Sequence, residues 1–322
     1  MIKYSVIGTS WITRSFIDGA SLHDGLILDG VYSRSPEKGI AFADETGARR
    51  VFTDFDELLC SDTDLVYVAS PNVCHFEQCK ALLLNNKHVI CEKPITITLA
   101  EYKEICEIAD SKGLVYFEAV MYMHSPARAI LKKAVSQIGR IQSANIDFSQ
   151  LSSKYPALMR GENPNIFNPE MKTGALNDLG IYCVYPVVDI FGMPKEIIPC
   201  QHFLFTGADG SGSAVFKYDD KIVNITYSKV GQSRGVSQIM GDLGTIAIGS
   251  ISQTDNIYLY DNNGVATELV PDIDKKYHMG NEALSALHFI EDMPSFREHY
   301  AECRRVNEMV LACMEKMRVE NA

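Results

Sequence analysis

Short runs of apolar, mostly β-branched residues alternate with segments of helical periodicity in the first third of the chain. The runs at 3–7, 28–32, 65–69, 88–91 and 114–118 predict five strands. The clearest helix is predicted over 98–112, where Thr98 and Glu101 form a capping box and Gly113 provides the stop. Strands joined through helices need crossover connections, so this part is predicted to be an α/β, doubly wound parallel sheet.

The pattern changes after about residue 123. Ser125 and Pro126 open a helix predicted over 127–137, and Gly139 ends it. Strands are then predicted at 141–148, 197–205, 213–217, 222–228, 245–248 and 257–260, with turn signals at 208–212, 219–220 and 262–264. Short connections make neighbouring strands antiparallel, so residues 123–322 are predicted to form an α+β domain with a large open, mainly antiparallel sheet, followed by a helical tail at 295–318.

Composition narrows the range of partners. The chain has 322 residues and a formal net charge of −11, which argues against a nucleic-acid surface and favours small-molecule ligands. The N-terminal apolar run is too short for a membrane span or a signal peptide, and nine cysteines without a CxxC pair indicate reduced, mostly buried thiols, so a cytoplasmic protein is expected. Cys74, His75 and Cys79 lie close together, but no second ligand pair follows at zinc spacing, so no metal site is predicted.

The first strand-to-helix turn is a candidate dinucleotide site. Free N–H groups at a helix N-terminus bind a pyrophosphate, and a glycine lets the backbone approach it closely. Of the G-x-G-x-x-G fingerprint only Gly8 is present, because Ser10 and Thr13 replace the second and third glycines. An ordinary strand-to-helix turn remains the alternative. The candidate cofactor-binding residues are Gly8, Thr9, Ser10, Trp11 and Ile12.

The end of the second strand bears on cofactor choice. An NAD site usually places a carboxylate there for the ribose 2′-OH, whereas this chain has Ser33 and Arg34. A hydroxyl and a guanidinium suit a 2′-phosphate, so NADP(H) is favoured and NAD(H) is the alternative. Arg34 as a solvated loop charge is the non-functional interpretation.

Two further loops follow predicted parallel strands, where open α/β sheets bind their ligands. The segment 69–72 reads Ala-Ser-Pro-Asn, and 91–94 reads Cys-Glu-Lys-Pro with Lys93–Pro94 as a candidate cis peptide. A surface turn is the alternative for the second. The candidate cofactor-binding residues here are Ser70, Pro71, Asn72, His75, Glu92 and Lys93.

A polar stripe is predicted further along the chain. If 173–185 begins a helix, Asp178, Tyr182 and Tyr185 lie at i, i+4 and i+7 on one face. A core lined by tyrosines with satisfied hydroxyls is the alternative.

The order GTSWIT, SR, SPN, EKP, EAVMY and GALNDLGIY resembles the glucose-fructose oxidoreductase, inositol dehydrogenase and MocA (Gfo/Idh/MocA) family over essentially the whole chain. The resemblance implies an NAD(P)-binding Rossmann domain at 1–122 and a substrate-binding and dimerisation domain at 123–322. It also implies a homodimer or a dimer of dimers, and a homodimer formed through the C-terminal sheet is expected. It is closest in pattern to the tyrosine branch, similar to dimeric dihydrodiol dehydrogenases and aldose dehydrogenases, in which the matching Lys93 and Tyr182 are the catalytic pair. The chain departs from the family at Ser10 and Thr13, at Lys172 and Thr173 in place of two glycines, and at Asn177.

These features give a hypothesis of reversible hydride transfer between nicotinamide C4 and a carbinol or carbonyl carbon of a sugar-like or other small polyhydroxylated substrate. Lys93 would lower the pKa of Tyr182 from about 10, so that the phenol can exchange the hydroxyl proton, and Asp178 would orient the substrate or Lys93. Further candidate substrate contacts are Tyr122, His124 and Arg160. The alternatives are an NAD-dependent glycosidase of the same fold and a non-enzymatic NADP-sensing regulator.

Overall fold

A six-stranded parallel sheet forms the N-terminal part of the computed structural model, which describes residues 1–319. Its strand order is β3-β2-β1-β4-β5-β6, the doubly wound arrangement expected of a Rossmann fold. The strands are β1 (Ile2–Ile7), β2 (Leu26–Tyr32), β3 (Arg50–Phe52), β4 (Leu65–Val68), β5 (His88–Glu92) and β6 (Tyr116–Ala119). The predicted fold class is confirmed, and the additional strand, β3, has only three residues.

Five α-helices connect these strands. They are α1 (Trp11–Ala20), α2 (Pro36–Thr46), α3 (Phe55–Leu59), α4 (His75–Leu84) and α5 (Leu99–Lys112), with a 3₁₀ turn at Asn72–Cys74. The predicted capping box is present at the start of α5, where Thr98 and Glu101 each accept the other's backbone N–H, and Gly113 ends the helix in a left-handed conformation. At α2, the side chain of Ser35 accepts the N–H of Lys38 and Pro36 occupies the first turn.

The second sheet has eight strands in the order β14-β13-β12-β11-β7-β10-β9-β8. Every pair is antiparallel except β7 with β10. Its strands are β7 (Ile141–Ser149), β8 (Glu196–Phe203), β9 (Asp209–Lys217), β10 (Ile222–Ser228), β11 (Ser237–Gly241), β12 (Gly244–Ser250), β13 (Asp255–Asp261) and β14 (Ala266–Val270). The mainly antiparallel sheet is therefore confirmed, although β11 and β14 were not predicted and β9 begins inside the predicted turn.

The helices that belong with this sheet are α6 (Met121–His124), α7 (Ala127–Val135), α8 (Tyr155–Met159) and α9 (Ile181–Phe191). Two 3₁₀ turns, Asn165–Phe167 and Pro169–Met171, precede a π-helical turn at Leu176–Gly180, which runs directly into α9. Along β10 the residues alternate between buried and exposed, so one face of the sheet is covered and the other is open.

After the second sheet the chain returns to the first one. Helix α10 (Lys275–Glu291) packs on α1 at a pair of glycines: a Cβ on Gly19 would lie 2.5 Å from the backbone nitrogen of Gly280. It is followed by α11 (Met293–Met317). The first compact unit therefore comprises residues 1–120 and 274–305, and the second comprises 121–273 and the chain from 306 on. The division made from sequence differs because it placed 274–305 with the second sheet.

A search of the helices within residues 1–319 found none with the length and apolar character needed to cross a bilayer. No disulfide joins any of the nine cysteines, which all lie within residues 1–319, and six of the nine are buried. The expectation that most of the thiols are buried is confirmed.

Candidate cofactor and catalytic site

The loop after β1 packs closely on the start of the loop after β4. Gly8 has a φ of +102°, and a Cβ at this position would lie 2.7 Å from the carbonyl oxygen of Ala69. Two residues on, Ser10 precedes α1 without capping its first-turn N–H groups, and its hydroxyl lies 3.3 Å from that of the buried Thr13. The replaced fingerprint positions thus pair with one another and leave the helix N-terminus available to an anion.

A cleft of about 510 Å³ opens over the carboxyl ends of β1, β2 and β4. Arg34 and Lys38 are its cationic lining residues, and none of the residues that line it is a carboxylate. Lys38 was not predicted, because one lysine in the first turn of α2 has no distinctive sequence signal. The complete lining is Ile7, Gly8, Thr9, Ser10, Tyr32, Ser33, Arg34, Ser35, Lys38, Ala69, Ser70, Pro71, Cys74 and Gln78.

Hydrogen bonds arrange the basic side of this cleft. The hydroxyl of Ser33 is buried and donates to the carbonyl oxygen of Ser35 at 2.9 Å, which turns the chain into α2. The side chains of Arg34 and Lys38 extend from exposed residues on either side of that turn. The cleft therefore presents two cations together with the N-terminal end of α2, a combination that suits a phosphate group.

The structure places seven of the predicted cofactor residues on this cleft and six outside its lining. On the lining are Gly8, Thr9, Ser10, Ser33, Arg34, Ser70 and Pro71; outside it are Trp11, Ile12, Asn72, His75, Glu92 and Lys93. Trp11 is 63% exposed, and the Nζ atom of Lys275 lies 4.0 Å from its ring centroid, within cation–π range.

His75 has a different position from the other predicted cofactor residues. It is only 1% exposed, and its Nδ1 and Nε2 atoms lie 2.8 Å and 2.9 Å from the carbonyl oxygens of Pro94 and Ser70. Burial lowers the pKa of His75, although both carbonyl contacts favour the charged ring. The imidazole thus ties the loop after β4 to the loop after β5.

Two carboxylates hold the loop that carries Lys93: that of Glu92, which is partly buried, and that of Glu118, which is buried. Tyr67 donates its hydroxyl to Glu92 at 2.5 Å, and the backbone N–H of Lys93 donates to the same carboxylate at 3.2 Å. Beyond the cis Lys93–Pro94 peptide, the N–H of Ile95 donates to Glu118 at 2.5 Å. Burial raises the pKa of Glu92, while the charge of Lys93 opposes that shift. The backbone on both sides of Lys93 is therefore fixed.

Helix α10 adds charged groups that sequence analysis did not single out. Burial lowers the pKa of Lys275, and the charges of Glu92 and Glu282 act against this. Burial and repulsion from Glu92 raise the pKa of Glu282, whose Oε2 atom is buried with no hydrogen-bond partner within the described chain. Charged residues in a helix usually belong to its solvent-exposed face. The sequence therefore did not indicate that the charges of Lys275, Glu282 and Glu92 act on one another.

In the second compact unit, Asp178 and Tyr182 lie on either side of the junction between the π-helical turn and α9. Asp178 pairs with Lys229, and their side chains are 27% and 4% exposed. Tyr182 is partly buried with its ring edge-on to Phe148, 5.4 Å between centroids. Turns of π-helix are frequent at functional sites.

The predicted stripe does not extend to Tyr185. This residue is 1% exposed, and Asn307 donates its side-chain N–H to the phenol oxygen at 2.9 Å. The π-helical turn breaks the 3.6-residue spacing between Asp178 and the positions that follow. Tyr185 is therefore a core tyrosine, which was the alternative interpretation.

The three residues predicted to contact the substrate all belong to the second compact unit. Tyr122 is 1% exposed and donates its hydroxyl to the buried carboxylate of Asp189 at 2.7 Å, so it belongs to the core rather than to a ligand surface. His124 is buried as well. Arg160 is exposed and pairs with Glu162 at 2.7 Å. Direct substrate contact therefore gains no support from the geometry of Tyr122 or Arg160.

Comparison with known proteins identifies the family of this chain. The family model described as "Oxidoreductase family, NAD-binding Rossmann fold" of Gfo/Idh/MocA matches residues 2–120. The chain is 36% identical over 274 residues to scyllo-inositol 2-dehydrogenase (NADP(+)) IolU of Bacillus subtilis, covering 84% of each protein. It is also 36% identical over 258 residues to the uncharacterized oxidoreductase YgjR of Escherichia coli, covering 80% of this chain and 79% of that protein. This chain belongs to the Gfo/Idh/MocA family.

A solved structure shows the same fold at low sequence identity. The 3-ketoreductase KijD10 from Actinomadura kijaniata, in complex with NADP and TDP-benzene, matches with a TM-score of 0.83 and 20% identity. The match covers 97% of this chain and 96% of that one. Both sheets therefore belong to one known architecture.

Proposed function

We propose that this protein is an NADP(H)-dependent oxidoreductase that transfers a hydride between the nicotinamide and a CH–OH or carbonyl carbon of a sugar-like or other small polyhydroxylated substrate. The observation that carries the proposal is the cleft at the carboxyl ends of β1, β2 and β4, which is lined by Arg34 and Lys38 and by no carboxylate. A 2′-phosphate needs such donors, whereas a free ribose hydroxyl needs an acceptor. The NADP(+) specificity in the name of the relative IolU supports this choice.

The residues around the cleft fit a dinucleotide. Gly8 lets the loop after β1 pack closely on the backbone of Ala69, and the first turn of α1 offers backbone donors for a pyrophosphate. Arg34 and Lys38 would hold the 2′-phosphate, with Ser33 and Ser35 shaping the turn between them. When bound, the nicotinamide supplies the hydride chemistry, and the protein supplies orientation and proton transfer.

Proton transfer is assigned to Lys93 and Tyr182, on the basis of the family resemblance. A phenol is a weak base at neutral pH, and a neighbouring ammonium group favours the phenolate. Glu92 and Glu118 support the role of Lys93, because they fix the backbone that carries it. Asp178 would bind substrate hydroxyls or orient the lysine.

A panel of aldoses, polyols, inositols, dicarbonyls and dihydrodiols tests the function. With NADP⁺, or with NADPH for carbonyl substrates, we expect a change in the absorbance of reduced nicotinamide with at least one polyhydroxylated compound. Sugar release from glycosides without net cofactor change would instead indicate the glycosidase. NADPH binding without turnover of any compound would favour the sensor.

The 2′-phosphate assignment gives a separate prediction. Arg34→Ala and Lys38→Ala should each raise the Kd for NADPH about 10- to 100-fold, because each removes a charge-assisted contact worth about 1.5–3 kcal/mol. Binding of NADH, which has no 2′-phosphate, should change little. Fluorescence titration of both nucleotides measures the effect.

The exposed Arg49, which is not among the cleft residues, provides the matched control. Arg49→Ala should leave both affinities unchanged. Equal weakening of NADH and NADPH by the cleft variants would contradict the assignment, and tighter binding of NADH by the unmodified protein would overturn the choice of NADP(H).

The proposal also covers the oligomeric state of the protein and its cellular location. We propose a homodimer formed through the open face of the eight-stranded sheet, where Ile198 and Ile222 are about half exposed. The cysteines are mostly buried and none forms a disulfide within residues 1–319, which supports a reducing compartment, and we propose the cytoplasm.

A further inference from the structure

Lys229 is a buried lysine that follows β10 in the second compact unit. Its backbone is fixed on both sides: its N–H donates to the carbonyl of Gly210 at 2.8 Å, and its carbonyl accepts the N–H of Ser152 at 2.9 Å. Its side chain is 4% exposed and pairs with Asp178. Because its backbone is fixed and its side chain is buried, Lys229 has little conformational freedom, and the fold determines its pairing with Asp178.

A second carboxylate lies near the same lysine. Asp209, at the start of β9, accepts the backbone N–H of Leu176 at 2.7 Å. Burial raises the pKa of Asp209, and the charge of Lys229 acts against that shift. A Cβ on Gly174, which has a φ of +126°, would lie 1.9 Å from the Oδ1 atom of Asp209. Asp209 thus anchors the start of the π-helical turn, and only a glycine fits beside it.

The three charges form one cluster around the segment that carries Tyr182. Lys229 pairs with Asp178, and its charge also acts on the buried carboxylate of Asp209. Loss of the cation would remove the ion-pair partner that favours the charged form of Asp178 and holds its side chain in place. Lys229 therefore contributes to both the orientation and the charge of Asp178.

We propose that Lys229 is a positioning residue of the active site, which keeps Asp178 charged and aimed while Asp209 anchors the turn that precedes Tyr182. The inference rests on the proposed function, since it deepens the role given there to Asp178. Lys229 acts through Asp178. Its loss should therefore reduce catalysis and leave the cofactor cleft of the first unit intact.

The test compares Lys229→Met with the conservative Lys229→Arg. We expect Lys229→Met to lower kcat about 10- to 100-fold through misplacement of Asp178, with the Kd for NADPH unchanged, and Lys229→Arg to recover much of the loss. Lys221→Met is the matched control, because this lysine is also largely buried, lies on the edge of β10, and pairs with Asp220 at the adjacent turn. The Lys221→Met variant should keep the kcat of the unmodified protein.

A pH profile separates positioning from plain stabilisation. Loss of the cation should raise the pKa of Asp178, so the acidic limb of kcat/KM should move to higher pH in Lys229→Met and stay in place in Lys221→Met. The other charged or titratable groups on segments packed around Asp178 are Asp147, Lys172, Tyr182, Cys183, Tyr185, Asp189, Asp209, Lys217, Tyr227 and Arg318. None of these is altered in either variant, so a shift specific to Lys229→Met reports on the ion pair.

Each outcome decides between the interpretations. An active unmodified enzyme whose Lys229→Met variant shows normal kcat, KM and pH profile but a lower Tm would overturn the inference and leave a structural ion pair. An unmodified protein inactive on the whole substrate panel would instead reject the proposed function. If Lys229→Met does not fold, the same comparison is made with Lys229→Gln, whose amide still donates a hydrogen bond to Asp178 without the charge.

Discussion

Replacing Lys93 with methionine is expected to lower kcat about 10²- to 10⁴-fold while NADPH still binds. The ammonium group is proposed to favour the phenolate of Tyr182 and to polarise the substrate oxygen, and removal of one acid–base partner costs a factor of this order. Methionine has a similar length and no charge. Steady-state kinetics with the best substrate of the panel, together with NADPH fluorescence titration, separates the chemical defect from a binding defect.

Tyr182→Phe should produce a loss of similar size, because the ring and its contact with Phe148 remain and only the hydroxyl is removed. Lys87→Met provides the control for Lys93. Lys87 is a buried lysine just before β5, whereas Lys93 follows the other end of the same strand. This control should keep kcat even if it lowers Tm. Near-normal turnover in both Lys93→Met and Tyr182→Phe would refute the catalytic pair.

The parallel sheet could be predicted from sequence because its signals are local. Buried β-branched runs, the capping box at Thr98 and the stop at Gly113 each depend on a few neighbouring residues. Helix α10 was missed because it mixes charged and apolar residues with no clean period. Its place in the fold comes from the contact between Gly19 and Gly280, two residues far apart in the chain.

The same distinction applies to the candidate site. Gly8, Ser33 and Arg34 were found because a ligand in this fold binds at strand ends, a rule that sequence order can apply. Lys229 and Asp209 were missed because their importance depends on contacts across the second sheet. Tyr122 was predicted as a substrate contact and Tyr185 as part of a polar stripe, yet Asp189 and Asn307 provide partners that let both phenols enter the core.

The departure from the family at Lys172 also has a structural counterpart. This residue takes a left-handed conformation with a φ of 54°, which glycine adopts at no cost and lysine adopts with strain. Its carbonyl accepts a hydrogen bond from the side chain of Asn177 at 2.9 Å, and the hydroxyl of Thr173 donates to Asn165 and Asn168. Side-chain hydrogen bonds thus support a turn for which the family uses glycines.

Gly8→Ala is expected to raise the Kd for NADPH at least tenfold. The added Cβ would meet the carbonyl oxygen of Ala69 at 2.7 Å, and this oxygen belongs to the backbone directly after β4 and cannot swing aside. The positive φ of Gly8 adds strain of about 1–3 kcal/mol for any other residue. Relief requires the loop after β1 to move, and that loop lines the cleft proposed to bind the cofactor.

Gly47→Ala is the matched control for this effect. Gly47 ends α2 with a φ of +78°, and no heavy atom lies within 4 Å of the Cβ position. The variant therefore carries the conformational strain without the collision: urea denaturation should show a loss of about 1 kcal/mol, with NADPH affinity unchanged. If Gly8→Ala binds NADPH as tightly as Gly47→Ala does, the close packing of Gly8 on Ala69 does not determine cofactor binding.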